Sequence, residues 1–544
     1  MAVGTASAFL ALALCLLLYP LRKVGQRPKG YPPGPPTLPL VGNLHLMPKE
    51  KGHLQFQKWA EQYGPVYSLV LGTKVMIILS TDQAVKDLLD KRSAIYSSRP
   101  DMYLAQDIAS GGLQIALMEY GERWRMLRGI AHKSLNLTAS RSYVPYQDLE
   151  NKAMLVALLD KPSHFIDHIR RYTNSIATQM TFGFRTTSND DPKLKQLYTC
   201  VKEWSDLSGS QGAALLDLYP ILRHLPDALL PMRRHAKDHH RREYDLFVGH
   251  YLDAKKRLLD GTAKPCICSD IARAQDQLKI SDGQAGYLSG SILEAGSDTS
   301  ASTLVAFIQA LLIFPEIASV AQAKIDEVCG DRIPDLNDLP DLPYIRGCVK
   351  EIMRWMPTAI LGVPHCTTEN DQYLGYHIPK GAHIVLNVWA IHNDARRYSD
   401  PRRFDPTRWA DDQRTSSEAA IAFDATKRDQ FVFGAGRRIC QGMHIADRIL
   451  FLGISRLLWA FDIKRTVDQS TGQEIIPDMY DLTEGMLVGP KPFQANIKPR
   501  NAYKAERVRA EWDSMTELLD DELQWKTVPE GMVWKDYEAG EFKE

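Results

Sequence analysis

The chain has 544 residues, with 66 lysines and arginines set against 66 aspartates and glutamates. Zero net charge excludes a nucleic-acid binder driven by bulk charge, and the length allows one large domain or two ordinary ones with a sizeable core. Eight scattered cysteines exclude a disulfide framework and point to a reducing compartment; Cys266 and Cys268 form a Cys-x-Cys pair without a second pair, which reads as an exposed loop and not as a zinc site.

No charge occurs between Ala2 and Tyr19, and residues 9–18 are rich in Leu and Ala. At ~1.5 Å per residue this is a short but sufficient membrane span. Arg22, Lys23, Arg27 and Lys29 follow the apolar run instead of preceding it, which predicts an uncleaved signal-anchor with everything after Pro20 in the cytosol. On that side the Asn136-Leu137-Thr138 sequon does not meet the glycosylation machinery. Residues 31–39, Tyr-Pro-Pro-Gly-Pro-Pro-Thr-Leu-Pro, cannot be helical and form a stiff polyproline hinge.

Residues 66–71 and 75–79, split by Gly72-Thr73, predict a β-hairpin. Helical patterns then dominate to about Phe314, and short strands return around residues 378–388, so the expected class is mainly α with a minor β region. The cationic run 233–242 follows the apolar stretch 225–231 and reads as a solvated edge, not as a metal or nucleic-acid site. A long helix opens near Ser281 and Asp282 and carries Ala295-Gly296-Ser297-Asp298-Thr299-Ser300 in an otherwise apolar run. A glycine and a carboxylate in a buried helix cost stability, which points to function; the plain alternative is a Thr bonded back to its own helix and an exposed Asp. Glu351 and Arg354, three apart, share a helical face.

Residues 433–442, Phe-Gly-Ala-Gly-Arg-Arg-Ile-Cys-Gln-Gly, precede an apolar helical run, so a Cys440 thiolate would sit at a helix N-terminus, where free N–H groups favour negative charge and a metal can be held. The glycines allow a tight bend, Phe433 can wall the sulfur from water, and Arg438 can meet an anionic cofactor group.

This loop resembles the haem-binding loop of cytochrome P450 enzymes, Phe-x-x-Gly-x-Arg-x-Cys-x-Gly, at every fixed position, and the resemblance extends through five motifs in the family's order to about Arg500. It implies the P450 fold and haem b with Cys440 as the iron ligand, held in a loop shaped by Phe433, Gly436 and Gly442. On the oxygen side it implies Asp298 and Thr299 as proton relay, with Gly296 as the small residue that leaves room for O2. Glu351 and Arg354, joined by Arg408, match the buried network that pins the loop, while Trp124, Arg128 and Arg438, with His365 and Arg99, match partners of the haem propionates. Gln441 stands where members commonly carry Pro, and its amide is expected to add a hydrogen bond near the sulfur and tune the iron's potential.

The same resemblance implies a monooxygenase fed from NADPH through a separate reductase, with cytochrome b5 as a further donor, because the chain has no Rossmann fingerprint or flavin segment of its own. Docking is expected around Arg123, Arg125 and Arg437. The implied divisions are a signal-anchor (1–21), a basic and proline-rich hinge (22–40), the catalytic domain (41–500) and an acidic C-terminal extension (501–544) that reads as a solvated helix with disordered ends. The implied location is the endoplasmic reticulum membrane, with the 225–231 stretch dipping toward lipid and the cations after it facing headgroups. Residues 364–381 are similar to those of fungal secondary-metabolism P450s acting on sterigmatocystin-type or indole substrates. Substrate contacts are expected from regions 100–118, 201–225, 290–295, 359–363 and 486–488, with Ile115, Leu293, Ile360 and Leu361 favouring a hydrophobic molecule. A haem isomerase or dehydratase that does not use O2, and a non-catalytic haem protein, stay open as alternatives.

Overall fold

The computed structural model describes residues 23–532, so the predicted signal-anchor and the end of the extension lie outside the described residues. Helix α1 (Gly52–Tyr63) leads into the hairpin β1 (Val66–Leu71) and β2 (Lys74–Leu79). The helical body follows: α2 (Glu122–Leu135), α3 (Val144–Asp160), α4 (Phe165–Phe182), α5 (Pro192–Ser208), α6 (Pro231–Leu259), α7 (Ile267–Leu278), α8 (Asp282–Ile313), α9 (Glu316–Cys329) and α10 (Pro343–Trp355). Short strands β3 (His365–Cys366), β4 (Asp371–Tyr373), β5 (Tyr376–Ile378) and β6 (His383–Leu386) come next, then α11 (Met443–Ala460), β7 (Phe461–Lys464), β8 (Asn496–Pro499) and α12 (Ala502–Thr516). The main sheet runs β1-β2-β6-β3, with β6 parallel to β2 and Met76 opposite His383, so the early hairpin and a much later strand close one sheet.

The axis of the body is α8. Ser281 Oγ accepts from Gln284 N–H while the Gln284 side chain accepts from Ser281 N–H, a reciprocal cap that starts the helix where the sequence predicts. It then runs buried among α4, α6 and α11. Close approach to α6 requires glycine: a Cβ on Gly290 would fall 2.1 Å from the Phe247 ring and one on Gly286 2.7 Å from Val248. Among the described residues α8 is the one helix long and apolar enough to cross a membrane, and its surroundings are protein.

Three expectations are corrected by packing. Cys266 and Cys268 are buried at the start of α7, where Cys268 meets Ser289 of α8 at 3.2 Å; the thiols act as small apolar groups in a tight seam and not as loop residues. The cationic run 233–242 lies in α6, and the helical period splits it. Arg233 is buried on Asp227 at 2.7 Å and His239 is enclosed between Glu203 and Glu243, while Arg234, Lys237, Arg241 and Arg242 reach the surface.

The third is the C-terminal extension, whose described part, residues 501–532, is docked and not solvated. Helix α12 lies along α3, with Val508 buried and Glu511 2.9 Å from Lys152. The chain then returns so that Trp525 packs on Tyr146 and donates to Gln179 Oε1 at 2.7 Å, while Arg185 donates to the Leu523 carbonyl at 2.5 Å. Beneath lies Glu150, fully buried, accepting from Arg171 at 2.6 Å, Arg185 at 2.5 Å and Gln179 at 2.8 Å. Burial alone would raise its pKa, but Arg185 and Arg171 together hold the carboxyl below its usual value. Trp525→Ala should therefore cost about 3 kcal/mol of stability. Its check is the denaturant midpoint together with faster hydrogen exchange at residues 172–182; an unchanged midpoint would mean the extension is not packed in this way.

Candidate active site

The loop around Cys440 is held from beneath by charge. Glu351 and Arg354 of α10 are both fully buried and meet through two parallel bonds of 2.8 and 2.6 Å. Glu351 accepts further from Asp405 N–H (3.0 Å), Arg408 Nε (3.3 Å) and Trp409 Nε1 (3.1 Å), so both carboxylate oxygens are saturated. Arg354 Nη1 donates to the His392 carbonyl at 2.8 Å, and the His392 ring accepts from Phe431 N–H at 3.1 Å. Burial, with Arg354 and Arg397 nearby, lowers the His392 pKa to about 3, which keeps Nε2 an acceptor. Arg428 bonds the Gly434 carbonyl and, at 3.0 Å, Asp90, whose other oxygen accepts from Gly436 N–H at 2.8 Å. His392, Asp90 and Arg428 escape the sequence reading.

Within the loop, Gly436 has φ +58°, and a Cβ there would meet the Leu89 carbonyl at 2.0 Å, so both conformation and space demand glycine. Cys440 N–H donates to the carbonyl of the buried Phe433 at 2.8 Å. The thiol then sits beside Gly442, which caps α11. Cys440 is open to solvent on one side and densely surrounded on the other. Burial raises its pKa, while the Gly442 N–H, the Arg128 charge and the Met443 N–H pull the other way and favour the thiolate. A cleft of about 840 Å³ opens on the α2 side of the loop, lined by Tyr120, Arg125, Arg128, Arg437, Cys440 and His444. The Gln441 amide donates to the Arg128 carbonyl at 3.1 Å. This bond ties the loop to α2 at the residue next to Cys440.

Above the loop three arginines converge. Arg438 donates to the carbonyls of Ser97 (2.9 Å), Ile115 (3.4 Å) and Met118 (2.6 Å), and Arg99 to those of Ala116 (2.8 Å), Val363 (2.7 Å) and Pro364 (2.7 Å). Arg128 donates to the Ile439 carbonyl and lies over the Trp124 ring, as does Arg438, 3.9 Å from its centroid. His365 is buried beside them with Nδ1 2.7 Å from the Tyr96 carbonyl. No carboxylate partners these groups among the described residues. Burial and mutual repulsion lower Arg99 to about 9 and Arg438 to about 8, burial lowers Arg128, and burial with Arg99 drives His365 well below its usual value. Such a shell fits a ligand that brings two negative charges.

Helix α8 faces this shell through segment 114–118, because Gln114 bonds Glu294 at 2.9 Å while the next residues accept from Arg438 and Arg99. Residues 291, 294, 295, 298, 299 and 302 share one arc of α8, and along it Ala295 is exposed and Glu294, Asp298, Thr299 and Ser302 half-buried. Thr299 donates to the Ala295 carbonyl at 2.8 Å, so its proton is engaged and its lone pairs face the opening. Burial raises the Asp298 pKa, opposed by Arg170, an exposed residue of α4. Gly296 lies off this arc, where an added Cβ would meet Ala177 of α4 at 3.2 Å. Its smallness serves helix packing, and Ala295 is the small residue on the open side. Leu293 points into the core on the opposite side, whereas Ile115 and Leu361 are half-buried, as expected of lining residues.

A sequence profile described as Cytochrome P450 matches residues 32–497. Cytochrome P450 monooxygenase virE of Hypocrea virens is 60% identical over 525 residues, covering 96% of this chain and 95% of the relative. Cytochrome P450 monooxygenase fogE of Aspergillus ruber is 55% identical over 537 residues (99% of each), and fsoB of Humicola fuscoatra 49% over 526 residues (96% and 97%). The chain belongs to the cytochrome P450 family, whose cofactor is haem. It is a monooxygenase, using O2, an organic substrate and a redox partner, which sets aside the isomerase and carrier alternatives. The cationic shell and the thiol beneath it fit an iron porphyrin with two carboxylates.

Glu351→Gln leaves the buried Arg354 charge without its counter-ion and should cost about 3–5 kcal/mol. Limited proteolysis should then cut within residues 428–440 faster than in the wild type; unchanged cleavage there would detach the network from the loop.

Proposed function

We propose that the protein is a membrane-anchored haem-thiolate enzyme of fungal secondary metabolism that inserts one atom of O2 into a hydrophobic small molecule, with electrons from NADPH through a separate reductase. The observation that carries this reading is the shell of Arg99, buried, with Arg128 and Arg438, half-buried, none of them with an acidic partner among the described residues. When bound, haem b supplies the iron chemistry that activates dioxygen.

Cys440 would hold the iron as thiolate, steadied by the Gly442 and Met443 N–H groups and the Arg128 charge. The three arginines and His365, whose pKa burial and Arg99 now depress, would receive the two propionates. Trp124 gives Arg128 and Arg438 a flat apolar floor. On the oxygen side Thr299, its own proton engaged at Ala295, accepts from a water and orients it, and Asp298 passes protons inward from the surface beside Arg170. Gly296 keeps α8 close to α4, where Thr173 donates to the Ser297 carbonyl at 2.6 Å.

The electron donor docks on the face carrying the exposed Arg123, Arg125 and Arg437, next to the cleft that reaches Cys440. Anchoring in the endoplasmic reticulum is supported by exposed apolar residues: Leu38 and Leu40 of the hinge, Val41 after it, and Ile221, Leu225 and Leu229, the two groups being linked where Tyr219 donates to the Leu40 carbonyl at 3.1 Å.

Metabolite profiles of the host with and without this chain, grown under 18O2, test the reading: a compound carrying one 18O atom should vanish when the chain is deleted. No 18O-dependent difference would sink the proposal. Thr299→Ala should keep the cofactor and lower product per NADPH by about tenfold while peroxide rises; unchanged coupling would remove Thr299 from proton handling.

A further inference from the structure

The open arc of α8 carries a group that the oxygen chemistry does not use. Glu294 is half-buried one turn before Asp298, and its partner is Gln114, whose Nε2 lies 2.9 Å from Glu294 Oε2. The Gln114 Oε1 atom is 2.6 Å from Ser291 Oγ, which is also 2.7 Å from the Tyr287 carbonyl. Ser291 has a single proton for these two short contacts. A half-turn of the Gln114 amide exchanges its nitrogen and oxygen without moving a heavy atom and resolves the conflict. Ser291 then donates to Tyr287, as a helical serine does, and the amide nitrogen donates to Ser291. The amide oxygen now faces Glu294 Oε2, and two oxygens at that distance need a proton, which only Glu294 can bring.

The surroundings agree. Burial, the carboxylate of Glu243 on α6 and that of Asp298 raise the Glu294 pKa to about 8, and the Gln114 bond only partly opposes them. The other titratable groups facing it are Tyr287 on α8, itself donating to Glu243 at 2.9 Å, and Cys200 on α5; neither is a cation. Glu294 Oε1 has no hydrogen-bond partner among the described residues and is not sealed from solvent. In a protonated acid whose O–H is spent on Gln114, that atom is a carbonyl oxygen, an acceptor without charge.

We infer that Glu294, set by Gln114 and Ser291, is a neutral specificity-determining acid in the wall of the substrate cavity, and that it recognises a hydroxyl group on an otherwise apolar substrate. This rests on the reading of the α8 arc as the substrate side of the enzyme. An acceptor without charge selects an O–H donor, and a ligand with no donor would leave the polar patch desolvated and unpaired.

Two measurements on the full-length holoenzyme test it. Isotope-edited infrared spectra at pH 7 should show a protonated carboxylic acid band that is lost in Glu294→Gln; no such band overturns the inference. Equilibrium dialysis with labelled decan-1-ol, decane and decylamine at pH 7 should show the alcohol binding about tenfold tighter than the alkane. That preference should persist in Glu294→Gln, which keeps an acceptor, and disappear in Glu294→Leu. No alcohol preference in the wild type, an undiminished preference in Glu294→Leu, or tighter binding of the amine would each overturn it. Failure of the monooxygenase reading registers separately, as missing 18O incorporation with the probe preferences intact.

Discussion

Three guanidinium groups held within one another's field, with carbonyl oxygens as their only bonded partners, set the terms for everything around Cys440. Arg99, Arg128 and Arg438 draw their acceptors from residues 97, 115, 116, 118, 363, 364 and 439, so they staple four separate stretches of chain around one positive hollow. Burying like charges costs several kcal/mol each unless an anion enters. The shell lies beside Cys440, and a dianion that entered it would stabilise the folded state.

The contrast with other buried ions in the same chain is instructive. Glu351 is surrounded by five donors and Glu150 by three, and both are fully buried beside arginine counter-ions. These closed sets hold architecture: one supports the Cys440 loop from below through His392 and Phe431, the other fastens α3 to α4. The arginine shell has no acidic partner, and Glu294 Oε1 no hydrogen-bond partner, among the described residues, so both are open sets. Complete against incomplete satisfaction, not burial itself, separates the structural ions from those that await something.

What the sequence made legible follows the same physics. The Cys440 loop was readable because its determinants are contiguous: Gly436 must be glycine against Leu89, and Cys440 must precede a helix start. The start of α8 was readable near Ser281 and Asp282, and the structure adds the reciprocal cap between Ser281 and Gln284. The arginine shell was accessible only through family resemblance, since no local spacing relates residues 99, 128 and 438. Adjacency misled where the face of a helix mattered: Gly296 and Leu293 neighbour Ala295 and Glu294 in sequence but turn toward α4 and the core. His392 carries no local mark, because its role is set by Arg354 and Phe431 from elsewhere. The extension looked solvated because its composition is acidic, while Val508, Leu519 and Trp525, spread along it, are buried in the core.

That placement bears on the order in which the molecule can be completed during synthesis. Gln179, which helps satisfy Glu150, is itself capped by Trp525, and Arg185 takes the Leu523 carbonyl. Until residues 519–525 are in place, the Glu150 cluster lacks the cover of Leu523 and Trp525, and helix α4, which backs α8 at Ala177 and Thr173, lacks the same brace. Residues 501–525 therefore act as a latch over the Glu150 cluster.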